Sequence, residues 1–124
     1  MTFTDEAVAV TGAGSGMGRA TAELFAERVA SVVVVDIDED AAAETVQRIE
    51  ADGGEATAAV GDVSDPDSVE AFVEKTVDTY GSIDVLHNNA GIPQQSTPVE
   101  DVEEATWDQI QDVNLKSAFL GAKY

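Results

Sequence analysis

Cysteine is absent from the 124 residues, so no disulfide framework is available. Histidine occurs once, at His87, which leaves no Cys/His cluster from which a zinc site could be built. The carboxylates are many, but they lack the loop spacing of a calcium site, so no metal is expected. Basic residues are scarce: 6 Lys and Arg stand against 25 Asp and Glu, a formal net charge of −19 spread along the chain. A surface so negative argues against nucleic acid and anionic membrane as partners. Long apolar runs are missing too. The longest, around Val32 to Val35, is far too short to span a bilayer, and the opening Met1-Thr2-Phe3-Thr4-Asp5-Glu6 lacks the basic start and apolar stretch of a secretory signal. The expectation is a soluble, cytoplasmic protein. Dispersed carboxylates with little lysine also fit a halophilic surface, on which concentrated ions screen the self-repulsion that opposes compaction.

What the chain does contain is 44% hydrophobic residues and well-spaced glycines, enough for one domain or part of one. No repeat, linker or low-complexity tract interrupts it. Short β-rich runs alternate with longer segments of helical period, which predicts a parallel sheet covered by helices. Strands are expected at Ala7 to Thr11, Ser31 to Ile37, Ala56 to Val60 and Ile83 to Asn88, the second carrying the unbroken Val run of a strand buried on both faces. A first helix, Met17 to Arg28, sets Ala20, Leu24 and Phe25 along one face. A second, Glu39 to Ala51, aligns Ala42, Val46 and Ile49 and stops at Gly53-Gly54. The third opens at Ser64-Asp65-Pro66, where a side chain can cap and proline is tolerated, and turns Val69, Phe72, Val73 and Val77 inward. A last helix starts near Thr106, carries Trp107, Ile110 and Val113, and runs to Tyr124. Trp107 is expected to fill a gap in the core, and His87 to be a packed or hydrogen-bonded neighbour.

Thr11-Gly12-Ala13-Gly14-Ser15-Gly16-Met17-Gly18 lies between the first strand and first helix, where glycines let a pyrophosphate approach the helix N-terminus. The spacing departs from G-x-G-x-x-G, since Met17 and Arg19 stand where its last glycine would fall. It matches T-G-x-x-x-G-x-G instead and resembles the cofactor fingerprint of the short-chain dehydrogenase/reductase family. Three further matches follow in order. Asp36 ends the second strand, where a carboxylate accepts hydrogen bonds from ribose hydroxyls and repels the extra phosphate of NADP. Asp62-Val63 follows the third strand, and Asn88-Asn89-Ala90-Gly91 the fourth. Asp112-Val113-Asn114-Leu115 matches the family pattern on the next helix.

The resemblance implies a Rossmann-like, doubly wound α/β parallel sheet, cut off after the fourth strand and its helix, with residues 1–124 as an incomplete single domain. It implies NAD as cofactor, with contacts from Gly12, Ser15, Gly16, Met17, Gly18, Asp36, Ile37, Asp62, Val63, Asn89, Ala90 and Gly91. Ser15 and Ile37 supply no positive charge for NADP, Asp62 would reach the adenine amino group while Val63 covers the ring, and Asn89 would tie adjoining strands. Asn114 aligns with the family's catalytic asparagine, which anchors a proton-relay water. The implied activity is hydride transfer between an alcohol and a ketone or aldehyde, in a parent that assembles as a dimer or tetramer.

The family's catalytic Ser and Tyr-x-x-x-Lys have no counterpart here. Tyr80 is followed four positions on by Asp84, and Tyr124 is the last residue. The chain alone is therefore expected to be inactive, with Phe119 and Leu120 left without a packing partner and the fourth strand an open edge. Gln94 and Gln95 are candidates to approach substrate. Two other expectations stay open: a non-catalytic nucleotide- or partner-binding module, and a product with no function. One departure is local: Val29-Ala30 follows the first helix where relatives often carry Gly, so that end must be strained or end differently.

Overall fold

Residues 2–92 and 96–124 are described by the computed structural model of the protein. Four strands, β1 (Ala7–Thr11), β2 (Ser31–Asp36), β3 (Glu55–Val60) and β4 (Val85–His87), form one parallel sheet in the order β3-β2-β1-β4. The connections carry α1 (Gly16–Glu27), α2 (Glu39–Ala51) and α3 (Pro66–Tyr80). After β4 come a short 3-10 turn at Val99–Asp101, α4 (Glu104–Gln111), a π turn at Asp112–Lys116 and α5 (Ser117–Lys123).

Because successive strand residues point to opposite faces, the valine run feeds two cores at once. Val8, Val10, Val32 and Val34 pack against Ala22, Ala26, Ala42 and Ile49 of α1 and α2. Ala9, Val33 and Val35 pack against Val69 and Phe72 of α3 and Leu120 of α5. The sheet is thus covered on both sides. Asp65 caps α3 by accepting from the Asp67 amide, and Pro66 sits in its first turn, as the sequence predicts.

Packing corrects several sequence expectations. In α1 the buried residues are Gly18, Ala22 and Ala26, whereas Ala20 and Leu24 face solvent and Phe25 is half-buried. Small side chains face the sheet there because the glycine-rich turn starts the helix close to the strands. In α3, Thr76 is buried and Val77 exposed; the Thr76 hydroxyl is satisfied by donating to the Phe72 carbonyl at 2.7 Å, so it can occupy an apolar face. β4 is shorter than expected. Asp84 lies before it, exchanging bonds with Ala7 through its own amide (2.9 Å) and its carboxylate (2.8 Å). Leu120 is 4% exposed, held between the sheet and α3, while Phe119 is exposed as expected. Trp107 is 57% exposed and fills no core gap, because α4 contributes no buried residue. His87 is exposed rather than packed, at the end of the short edge strand.

The end of α1 is strained where the sequence flags it. The Ala30 amide donates to the Phe25 carbonyl (3.1 Å) and the Val29 amide to Ala26 (3.0 Å), the paired bonds of a helix terminus that needs a left-handed residue between them. That residue is Val29, at φ 73°, a region costly for a β-branched side chain. Val29→Gly should therefore stabilise the fold by about 1 kcal/mol, an increase in Tm of roughly 4 °C. Val29→Ala, which keeps a Cβ, should give little of that gain in the same melt.

Tyr80 supplies a second test. Its hydroxyl shares a 2.9 Å hydrogen bond with Thr57, and its pKa is raised above 10.0, chiefly by burial, with Glu55 and Glu50 adding to the rise and the Thr57 bond opposing it. The native chain thus holds this proton to higher pH than the unfolded chain. The stabilisation is complete below pH 10.0 and is lost as pH climbs through the raised native value. Urea unfolding at about pH 8 and about pH 11 should show that loss, and Tyr80→Phe should reduce it while costing about 1 kcal/mol at the lower pH.

Candidate functional site

The C-terminal ends of all four parallel strands lie along one edge of the sheet, and the order reverses between β1 and β4, which opens a crevice there. A cleft of about 860 Å³ occupies it. The turn after β1 supplies Gly12, Ser15 and Met17 to its wall, and the end of β2 supplies Asp36 and Ile37. Asp62 and Val63 come from the loop after β3, and Asn89, Ala90 and Gly91 from the segment after β4. The sequence-predicted residues from four separate segments therefore converge.

The turn packs closely on the segments after β2 and β4 because side chains are missing from it. A Cβ on Gly12, whose φ is +67°, would stand 2.9 Å from Ala90 Cα, and one on Gly14 would stand 2.7 Å from Asp36 Oδ2. Gly16 (φ +56°) has open space around it and Gly18 is buried; neither reaches the cleft wall. Gly18 packs against the Gly12 carbonyl, while Gly16 turns the chain on the exposed side. α1 begins at Gly16, so its unpaired N-terminal amides lie beside the cleft.

Asp36 and Asp62 each accept from backbone amides. Asp36 Oδ2 accepts from the Gly14 amide at 2.8 Å and Oδ1 from the Asp38 amide at 2.9 Å. Asp62 Oδ1 accepts from both the amide (2.9 Å) and hydroxyl (2.7 Å) of Ser64. Thr11, only a letter of the fingerprint in the sequence, is the knot between strands: its hydroxyl oxygen accepts from the amides of Asn89 (3.0 Å) and Ala90 (3.1 Å). Asn89 also ties these segments, its Nδ2 donating to the Gly12 carbonyl at 3.5 Å.

Asn114 lies outside the cleft wall, in the π turn. Its carboxamide clasps one residue of the loop after β4: the Ile92 amide donates to Oδ1 at 2.7 Å, and Nδ2 donates to the Ile92 carbonyl at 2.9 Å. Gln94 and Gln95 lie outside the described residues. In the far wall, made by Ala105, Asp108, Gln109, Asp112 and Val113, sequence reasoning flagged Asp112 and Val113 only as part of a helix motif and missed the other three. Their three- and four-residue spacing marks one helix face and was available as a signal. Gly61, Ser64 and Ile92, flanking the recognised motifs, were also missed.

Comparison with known proteins agrees with this geometry. The profile of the family described as short chain dehydrogenase matches residues 6–124. An uncharacterised oxidoreductase of Thermotoga maritima is 44% identical over 124 residues, covering 100% of this chain and 48% of its own. A cyclohexanol dehydrogenase of Acinetobacter sp. is 38% identical, covering 98% of this chain and 49% of its own. Among solved structures, a metagenomic short-chain oxidoreductase in complex with NADP superposes with a TM-score of 0.94 at 32% identity, over 99% of this chain and 56% of that one. A putative short-chain dehydrogenase/reductase from Burkholderia xenovorans gives 0.91 at 40% identity, over 98% and 50%. The chain spans about half the length of the curated relatives it matches.

Proposed function

The chain belongs to the short-chain dehydrogenase family, and from that premise we propose that it is the dinucleotide-binding half of an oxidoreductase that takes NAD in preference to NADP. The full protein would pass hydride between an alcohol and its ketone or aldehyde. The observation that carries the cofactor preference is Asp36, fixed at the end of β2 by the Gly14 and Asp38 amides and forming part of the cleft wall. A carboxylate there suits two ribose hydroxyls and repels a 2′-phosphate. One solved relative carries NADP, so the choice turns on Asp36, Ser15 and Ile37 rather than on the fold.

The residues present fit the group. The start of α1 offers amides for a pyrophosphate, and Ser15 and Met17 beside it line the cleft. Met17 and Ile37 are 80% and 69% exposed although apolar, and both line the cleft, where a bound adenosine would cover them. Val63 would pack on the adenine, with Asp62 accepting from its amino group. Bound nicotinamide supplies the hydride acceptor or donor. Asn114 would hold the loop after β4 in place, through Ile92, as the wall of the nicotinamide end. No Tyr-x-x-x-Lys is present in the 124 residues to move the proton, so they alone would bind without turnover. The full-length parent would be a homo-oligomer, with exposed Trp107, Leu115 and Phe119 covered by the rest of the domain or by a second copy.

Four carboxylates, Asp36, Asp62, Asp108 and Asp112, line the cleft, and no Lys or Arg is among its lining residues. An anionic cofactor therefore meets like charge, and added salt should strengthen binding rather than weaken it. Calorimetric titration of NAD and NADP in low and multimolar salt, with circular dichroism to confirm folding, tests both points. NAD should bind at least about tenfold more tightly than NADP, the equivalent of about 1.4 kcal/mol, and more tightly in salt. A folded chain that binds neither, or that binds NADP equally well, refutes the corresponding part of the proposal.

A further inference from the structure

Arg19 directly follows the glycine-rich turn, where a cation would ordinarily be read as a phosphate ligand. The structure turns it away. Arg19 is absent from the cleft wall; its Nη2 donates to the Gly14 carbonyl at 2.6 Å and its Nε to Thr45 Oγ1 at 2.9 Å, and Glu44 pairs with the guanidinium at 3.3 Å. Thr45, on α2, is fully buried. Its single hydroxyl proton has two acceptors in reach, the Ala13 carbonyl at 2.8 Å and the Ala41 carbonyl at 3.3 Å, and the shorter bond is to the turn.

With these bonds every main-chain polar group of Ala13-Gly14 is taken. The Ala13 amide donates to the Val35 carbonyl at 3.1 Å, and the Gly14 amide to Asp36 at 2.8 Å. The two carbonyls go to Thr45 and Arg19. A dipeptide locked on all four groups cannot rotate its peptide planes without breaking bonds, and glycine, which would otherwise rotate freely, is held by them. The amides just beyond, at the start of α1, are left as the ones free to meet a ligand.

We infer that Thr45 and Arg19 are positioning residues: from α2 and the underside of α1 they hold the Ala13 and Gly14 carbonyls away from the cleft, so that the first amides of α1 stay aimed into it. No residue of α2 lines the cleft, so cofactor affinity is set partly by a helix the cofactor does not touch. The consequence for affinity rests on the cofactor reading above; the lock itself does not.

The test uses Thr45→Val, which keeps the shape and removes the hydroxyl, Thr45→Ser, which restores it, and Arg19→Lys, which keeps the charge and loses the fork. Two readouts are taken on the whole chain: hydrogen exchange of the Ala13 and Gly14 amides without nucleotide, and NAD affinity by calorimetry. Thr45→Val and Arg19→Lys should each speed exchange at those two amides and weaken NAD binding by about tenfold, with sheet amides unchanged, while Thr45→Ser behaves as wild type. Unchanged exchange at Ala13 and Gly14 in the variants overturns the inference. So does faster exchange with undiminished NAD affinity. Should Thr45→Val fail to fold, Arg19→Lys decides, because its side chain is partly exposed and its loss leaves no cavity in the core. A wild-type chain that does not bind NAD sinks the cofactor reading, while the exchange measurement still decides the lock.

Discussion

Gly18→Ala is expected to weaken NAD binding by about 100-fold or more and to lower the melting temperature sharply. A Cβ at this position would fall on the Gly12 carbonyl and 2.5 Å from Asn89 Nδ2. Asn89 Nδ2 is the end of a flexible side chain and can swing aside, but the Gly12 carbonyl is backbone, in a residue held at φ +67° with Ala90 Cα close by. Relief requires α1 to move off the turn, which breaks the packing of Ala22 and Ala26 on the sheet. Overpacking against backbone of this kind costs about 3 kcal/mol or more, and the distortion lies where the pyrophosphate would rest, so affinity should fall by about 100-fold or more. Gly16→Ala is the matched control. Nothing lies within 4 Å of a Cβ there, and only the φ of +56° is unfavourable, a cost of about 1 kcal/mol. A Gly18→Ala chain that melts and binds like wild type would mean that the turn is not built as described.

The second large effect is expected at Asp36. Asp36→Ala should lower NAD affinity by about tenfold and shift the ratio of NAD to NADP affinity by about 100-fold toward NADP. Two contributions add. Removing the carboxylate takes away the acceptor for ribose hydroxyls and the charge that repels a 2′-phosphate, an interaction of roughly 4 kcal/mol at 4 Å near a protein surface before screening. It also orphans the Gly14 amide, which now donates to Oδ2 at 2.8 Å, at a cost of about 1–3 kcal/mol. Asp36→Asn separates the two, because its carbonyl oxygen can still accept one of these bonds while the charge is gone. If the ratio shifts in Asn as far as in Ala, charge sets the preference. If Asn behaves as wild type, the hydrogen bonds do. Parallel titrations of both nucleotides, with a melt to check folding, read the outcome.

Much of this was open to sequence reasoning. The strands were legible because the Val32 to Val35 run and its neighbours satisfy both faces of a covered parallel sheet without reference to anything distant. The third helix was legible because its start chemistry, Asp65-Pro66, lies within its own first turn. Even the strain at Val29 could be read, since a helix terminus of that kind asks for glycine whatever surrounds it. The helical faces fared less well. Apolar period marks a stripe but not the exact angle at which it meets the sheet, so Val77 was turned inward one position from the buried Thr76, Leu24 was set inward two positions from the buried Ala22 and Ala26, and Trp107 was assigned to a core that α4 does not reach.

The sequence by itself determined the layers, the strand and helix positions and the chemistry of the glycine-rich turn, because each depends on residues within one strand, turn or helix. Tertiary structure alone decided how those pieces are held. Thr11 meets Asn89 across 78 positions, Thr45 meets Ala13 across 32, and Asn114 meets Ile92 across 22. Hydrogen bonds act over about 3 Å and leave no periodic trace in the chain, so which carbonyl a buried hydroxyl finds, and which way an arginine turns, is settled only when distant segments are packed together.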